Sequence, residues 1–278
     1  MSWRGSRAVL AAVVALAAAL CGSGESPARG ITEAADLGPL PFDRYEYSAE
    51  LYQRYQEAES LLNRRCMVRR GHDDFPLHPD LASGGRALVA VSTTYGVLDP
   101  RAARRWGYGW DPERPLLPGS EGRRLTSAEW QDWAACNAET SKALLRGVDV
   151  KADWLYATRR TAAVEKAAAR DPRLREAWAG WSRCLADKGF TRYPDPVAAY
   201  TDKAWRRGSD GNTRRTPRER ATAVADVACK RALGTARVWH DVRAEYQRAD
   251  IASRPAPYAA SLRALRVHAA NIDRVLGD

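Results

Sequence analysis

This chain is poor in lysine, isoleucine and histidine. Only six of its 44 basic residues are lysine, and it contains three isoleucines. Arginine in place of lysine, and valine or leucine in place of isoleucine, is the mark of GC-rich coding. The net charge of +10 is therefore no pointer to a polyanion by itself, and no nucleic-acid partner is expected. Four histidines, His72, His78, His240 and His268, supply few general bases. The sequence has no G-x-S-x-G elbow, no H-E-x-x-H helix and no glycine-rich phosphate loop, which removes the usual signatures of serine hydrolases, zinc proteases and nucleotide enzymes. Among five cysteines there is no Cys-x-x-Cys, so neither a thioredoxin-type pair nor a zinc knuckle is available. After Leu20 no apolar run is long enough for a transmembrane helix.

What is present begins with the N-terminus. Arg4 and Arg7 precede an unbroken apolar run from Val9 to Leu20, which has the length of a signal-peptide h-region and falls short of a membrane span. Cys21 ends that run and resembles a lipobox cysteine, although Leu20 before it is bulky. Cys21 is thus a candidate lipid-attachment residue; ordinary cleavage near Ala28 is the alternative. Residues 1–28 read as a signal peptide and 29–42 as a polar tether. Either way the protein is exported, held by a lipid at the outer face of the membrane or secreted. The four remaining cysteines, Cys66, Cys136, Cys184 and Cys229, form an even set in an exported chain and favour two disulfides.

A repeat organises the rest. Cys66-Met67-x-x-Arg70-Gly71 with Phe75-Pro76 returns as Cys184-Leu185-x-x-Lys188-Gly189 with Tyr193-Pro194. Each copy is followed by one further cysteine, so a duplicated plan favours Cys66–Cys136 and Cys184–Cys229. Apolar residues recur at helical spacing along most of the chain. Leu51, Tyr55, Ala58, Leu62 and Cys66 share a face of a helix expected from Asp43 to Arg70, opened by a capping box of Asp43 and Glu46. Asp99-Pro100, Asp171-Pro172 and Asp195-Pro196 read as N-caps followed by a first-turn proline. Thr126/Glu129 and Thr216/Glu219 have capping-box spacing, and a further helix is expected from Asp149 to Arg170. These signals predict an all-α, disulfide-stapled bundle of about eight helices, in halves 43–147 and 148–278. A C-terminal helical hairpin closes the second half, and Leu88–Val91 is the one stretch with strand composition.

Residues spread over Arg65–Leu233 carry a resemblance: Cys66-Met67 with Gly71, Tyr95-Gly96 followed by Gly107-Tyr108-Gly109, Trp181-x-x-Cys184-Leu185 with Gly189, and Ala225-Asp226-x-x-Cys229. Together they resemble secreted or lipoprotein-like actinobacterial proteins of unknown function with duplicated Cys-Met-x-x-x-Gly modules. His72 stands where that resemblance suggests an aromatic residue, and Leu185 where it suggests methionine. The resemblance implies compartment and architecture and brings no activity with it.

Candidate functional residues are few. His72, Asp73, Asp74, His78 and Asp80 form the densest group of potential metal ligands or acid–base residues, and would serve an extracellular hydrolase. Trp106, Tyr108 and Trp110, spaced by glycines, would suit stacking on an envelope glycan; the alternative is that they cover the core beside the first disulfide. Six arginines between Trp205 and Arg220 could meet an anionic envelope polymer or lipid heads; a solvated arginine-biased loop is the simpler reading. No catalytic residue, cofactor or metal set is assigned. The leading expectation is a non-catalytic binding or scaffold module of the cell envelope, with a glycan, an anionic polymer or another protein as partner.

Overall fold

The structure is a computed structural model that describes residues 30–79, 94–111, 123–208 and 211–277. Chain contacts set residues 1–30 apart from the unit Ile31–Asp278, and the fold described below is that of the second unit. The signal segment, Cys21 and the expected strand at Leu88–Val91 lie outside the described residues.

The fold is all-α. Among the described residues there are nine α-helices and no strand: α1 Ala49–Arg69, α2 Pro100–Trp106, α3 Ser127–Leu144, α4 Tyr156–Ala168, α5 Pro172–Asp187, α6 Pro196–Tyr200, α7 Pro217–Ala232, α8 Thr235–Ser253 and α9 Pro255–Gly277. No helix among them is long and apolar enough to cross a membrane. The Asp-Pro starts behave as their chemistry dictates. Asp99, Asp171 and Asp195 each accept a hydrogen bond from a first-turn backbone N–H, and the proline follows at a position whose N–H would have no helical partner. Thr126 and Glu129 form a complete capping box at the start of α3.

Two starts differ from expectation. The first helix opens at Ala49, capped by Ser48, whose hydroxyl accepts from Leu51 N. Asp43 instead accepts from Leu40 N at 2.7 Å and begins a short 3-10 turn. Phe42 and Tyr45 anchor that turn by packing on Tyr258. Helix α4 opens at Tyr156, because Asp149 and Asp153 turn back on Lys151 N and Leu155 N and hold the chain in successive local turns.

The duplication is visible in the backbone. Both α1 and α5 end in a glycine at positive φ, Gly71 at 92° and Gly189 at 83°. His72 N donates back to Met67 O (3.0 Å), and Phe190 N to Leu185 O (3.1 Å), so both ends are Schellman motifs. In each copy the cysteine lies one residue before the carbonyl that receives this bond. Nine residues after the cysteine a buried aromatic, Phe75 or Tyr193, returns to the core. Disulfides join Cys66 to Cys136 and Cys184 to Cys229, with Cα–Cα distances of 5.6 and 5.9 Å.

The two sequence halves interlock. Helix α2, from the first half, packs on α7, and Tyr108 just after it is buried among Trp181, Leu185, Tyr193 and Trp205, around the Cys184–Cys229 bridge. In return α9, from the end of the chain, packs on α1 and α3, where Ile272 joins Ala58 and Leu144 in a fully buried cluster. Each half lends a segment to the packing of the other, while the cluster at the Cys66–Cys136 bridge, with Met67, Phe75 and Leu125, is drawn from the first half alone.

Candidate functional site

Among the described residues, a concavity lined by several perturbed groups is built where α1, α3, α9 and the turn before α4 meet. It has a volume of about 300 Å³ and its walls are mainly aromatic. Tyr47 comes from the link between the 3-10 turn and α1. Tyr52 and Tyr55 lie three residues apart in the first turns of α1, so they share its edge. Trp154 stands in the turn preceding α4, and the C-terminal turn of α3 contributes Ser141, Leu144 and Leu145. His268 of α9 closes the floor, with 1% of its surface exposed.

The rings take two roughly perpendicular orientations. Tyr52 and Tyr55 are near-parallel (20°), whereas Tyr47 stands at 68° to Tyr52 and 88° to Trp154. Trp154 in turn meets the His268 ring edge-on, at 89° and 5.2 Å between centroids. Tyr52 is the most open of these side chains, at 38% exposure, and marks the mouth.

The titratable groups at the floor of the site are engaged by hydrogen bonds. His268 Nδ1 lies 3.0 Å from the Leu144 carbonyl, which can only accept, so Nδ1 carries the proton. Burial depresses the pKa of His268, outweighing the bond to Leu144. The ring is therefore neutral near pH 7, and its Nε2 accepts from the Tyr47 hydroxyl at 3.0 Å. Asn271, one turn along α9, donates to both Leu144 O and Arg146 O at 2.9 Å. Side chains of α9 thus cap the open end of α3. Tyr55 donates to Glu59 Oε1 at 2.7 Å. Burial, followed by the Glu59 charge, raises the Tyr47 phenol; burial together with the Glu59 bond and charge raises that of Tyr55. Both stay neutral. No lining side chain carries lysine or arginine charge, in a chain with 44 basic residues.

No known family model, curated protein or solved structure matches this chain. The assignment of a site rests on its chemistry.

The residues singled out in the sequence lie elsewhere. Tyr108 is a core residue: it is wholly buried, stacks on Trp205 (5.6 Å, 29°) and lies beside the second disulfide, not the first. It is unavailable to a ligand. Trp106 is half-buried beneath Arg105 and Arg215. Trp110 packs over Gly211, while its backbone exchanges two hydrogen bonds of 3.1 Å with the Asn212 side chain. The glycines between these rings serve close approach. A Cβ on Gly107 would lie 2.8 Å from Glu219 Oε1, and one on Gly109 would overlap Asn212 and Thr213. Glu219 does not complete the capping box expected of it: its carboxylate turns inward to accept from Tyr108 N (3.0 Å) and Thr213 Oγ1 (2.5 Å). It holds the aromatic loop.

His72 is engaged by Asp132 at 2.9 Å and His78 by Ser60 at 3.3 Å. Asp74 pairs with Arg123, and Asp80 lies outside the described residues. Among the described residues no three of His, Cys, Asp and Glu are arranged to hold a metal ion. In the arginine-rich stretch, Arg207 is committed to the carbonyls of Tyr108, Tyr200 and Gly211 and to the Tyr200 ring.

Tyr55 shares the inward face of α1 with Ala58 and Leu62, as its spacing predicts, and lines the site as well; His268, one of the four histidines, is buried beneath it. The one local signal was the density of tyrosines at 45, 47, 52 and 55. Nothing local connects them with Trp154 or His268.

Proposed function

We propose that this protein is an exported, disulfide-stapled binding module of the cell envelope that holds a small ligand in the Tyr47–Trp154–His268 pocket without transforming it. The observation that carries this reading is that Tyr47, Tyr55 and His268, the groups of the pocket able to move a proton, are already paired. The tyrosine and histidine that could act as acid or base spend their hydrogen bonds on each other, on Glu59 and on a helix end. What the walls offer a visitor is aromatic and aliphatic surface, which binds by shape and ring electrostatics. Export is supported by the apolar N-terminal run and by two disulfides, whose formation calls for an oxidising environment. Attachment through a diacylglyceryl group on Cys21 would keep the module at the outer face of the membrane.

The test is thermal unfolding of the oxidised protein against a panel of small amines, sugars, amino acids and short-chain lipids. One chemical class should raise the melting temperature, and Trp154→Leu should abolish that rise. Stabilisation unaffected by Trp154→Leu, or conversion of a panel compound to product, would overturn the proposal. Intact-mass analysis of protein from an exporting bacterial host reports separately on Cys21.

A further inference from the structure

We infer that the pocket receives a quaternary ammonium group, of the trimethylammonium type carried by choline and betaine. This rests on the reading of the pocket as a binding site and specifies what enters it.

Three independent sources of negative potential converge there. The first is the set of aromatic rings: Tyr47, Tyr52, Tyr55 and Trp154 are π-systems that line the cavity in more than one orientation. A cation within about 6 Å of a ring face is attracted, most strongly by tryptophan. The second is the C-terminal end of α3, whose last residues Leu144 and Leu145 line the cavity. A helix C-terminus carries the equivalent of about half a negative charge, partly offset here by the His268 and Asn271 donors to Leu144 O. The third is Glu59, hydrogen-bonded to the Tyr55 hydroxyl; its field reaches Tyr47 as well, as the shifts of both phenols show. The opposing charges stand outside: Lys142 and Arg146, near the same end of α3, are exposed and do not line the cavity.

The hydrogen-bonding state of the walls selects among cations. An ammonium of the lysine type must exchange its hydration shell for acceptors, and here Tyr47, His268 and Leu144 are already paired. A sugar likewise needs donors and acceptors in register. A quaternary ammonium carries no N–H and needs none. It presents methyl groups to the rings and spreads its charge over them, so it loses little on leaving water for apolar walls. A volume of about 300 Å³ is ample for such a head group.

The experiment is isothermal titration of the full oxidised protein with choline, with tetramethylammonium, and with 3,3-dimethylbutan-1-ol, the uncharged isostere of choline. Both cations should bind, and the neutral isostere at least tenfold more weakly (about 1.4 kcal/mol). Glu59→Gln retains an acceptor for Tyr55 while removing the charge; it should weaken the cations about threefold or more and leave the isostere unchanged. Trp154→Leu should cost at least tenfold. Co-sedimentation with phosphatidylcholine vesicles, against phosphatidylglycerol vesicles, separates a lipid head group from a free solute; binding in either form supports the inference. Equal affinity for choline and its isostere would overturn the cation assignment while leaving a binding pocket. Choline binding insensitive to both variants would overturn the location. Absence of binding by either cation would overturn the inference, and absence of stabilisation by any panel compound would then remove the binding reading too.

Discussion

Gly107 holds φ at +62°, and its missing Cβ leaves room for the Glu219 carboxylate. An alanine there meets both backbone strain and a displaced buried acid. Gly107→Ala should lower stability by about 1–3 kcal/mol in urea unfolding. His268 sets a second expectation at this scale. Its pKa lies below the ordinary 6.5 because burial disfavours the imidazolium. The unfolded chain therefore binds this proton more readily than the folded one. The folded state is unaffected above pH 6.5 and loses stability as pH falls from 6.5 through the lower folded value. His268→Asn should flatten that part of the stability–pH curve, read from melting temperatures between pH 7.5 and 5. Glu129 acts at lower pH. Arg123 and the Thr126 backbone hold it at about 2, so its contribution is present above its ordinary 4.5 and lost as pH falls toward 2.

Helices and their caps were largely legible in the sequence, because Asp-Pro, Thr-x-x-Glu and terminal glycine act over one turn. Where they misled, another local bond competed. Asp43 and Asp149 found acceptors' work in short turns, and Glu219 found better partners across space. The cysteine pairing was legible through the repeat, since each copy keeps its cysteine one residue before the Schellman carbonyl. The pocket was not legible: its members come from four separate elements, and nothing within a turn of Trp154 announces His268. At this scale two outcomes are expected. Asn271→Ala removes the donor to Arg146 O and one of the two to Leu144 O, leaving that of His268, and should cost about 1–3 kcal/mol. Replacing Cys184 and Cys229 together by alanine releases a loop of 45 residues and should cost about 4 kcal/mol in the chain-entropy picture; chemical denaturation measures both.

Over the whole Ile31–Asp278 unit, the duplication describes the chain but not its division into working parts. Two similar modules were readable from the cysteine frame. That each would lend a helix to the packing of the other was not, because helix-face periodicity says which side is buried and not which helix buries it. The fragment Ile31–Gly147, oxidised, should lack a cooperative melting transition by near-UV circular dichroism, since its α1–α3 cluster is missing Ile272. A sharp transition in that fragment would contradict the interlock.

The interlock also orders events in time. A chain is synthesised from its N-terminal side, at a pace of about 5–20 residues per second. Tyr108 is already made when α7 arrives to cover it. By contrast α1 and α3 wait for α9, the last helix to appear, before their shared core can close. The region made first is therefore the one that waits longest for its packing partner, and the aromatic pocket, floored by His268 of α9, is among the last features of the protein to come into being.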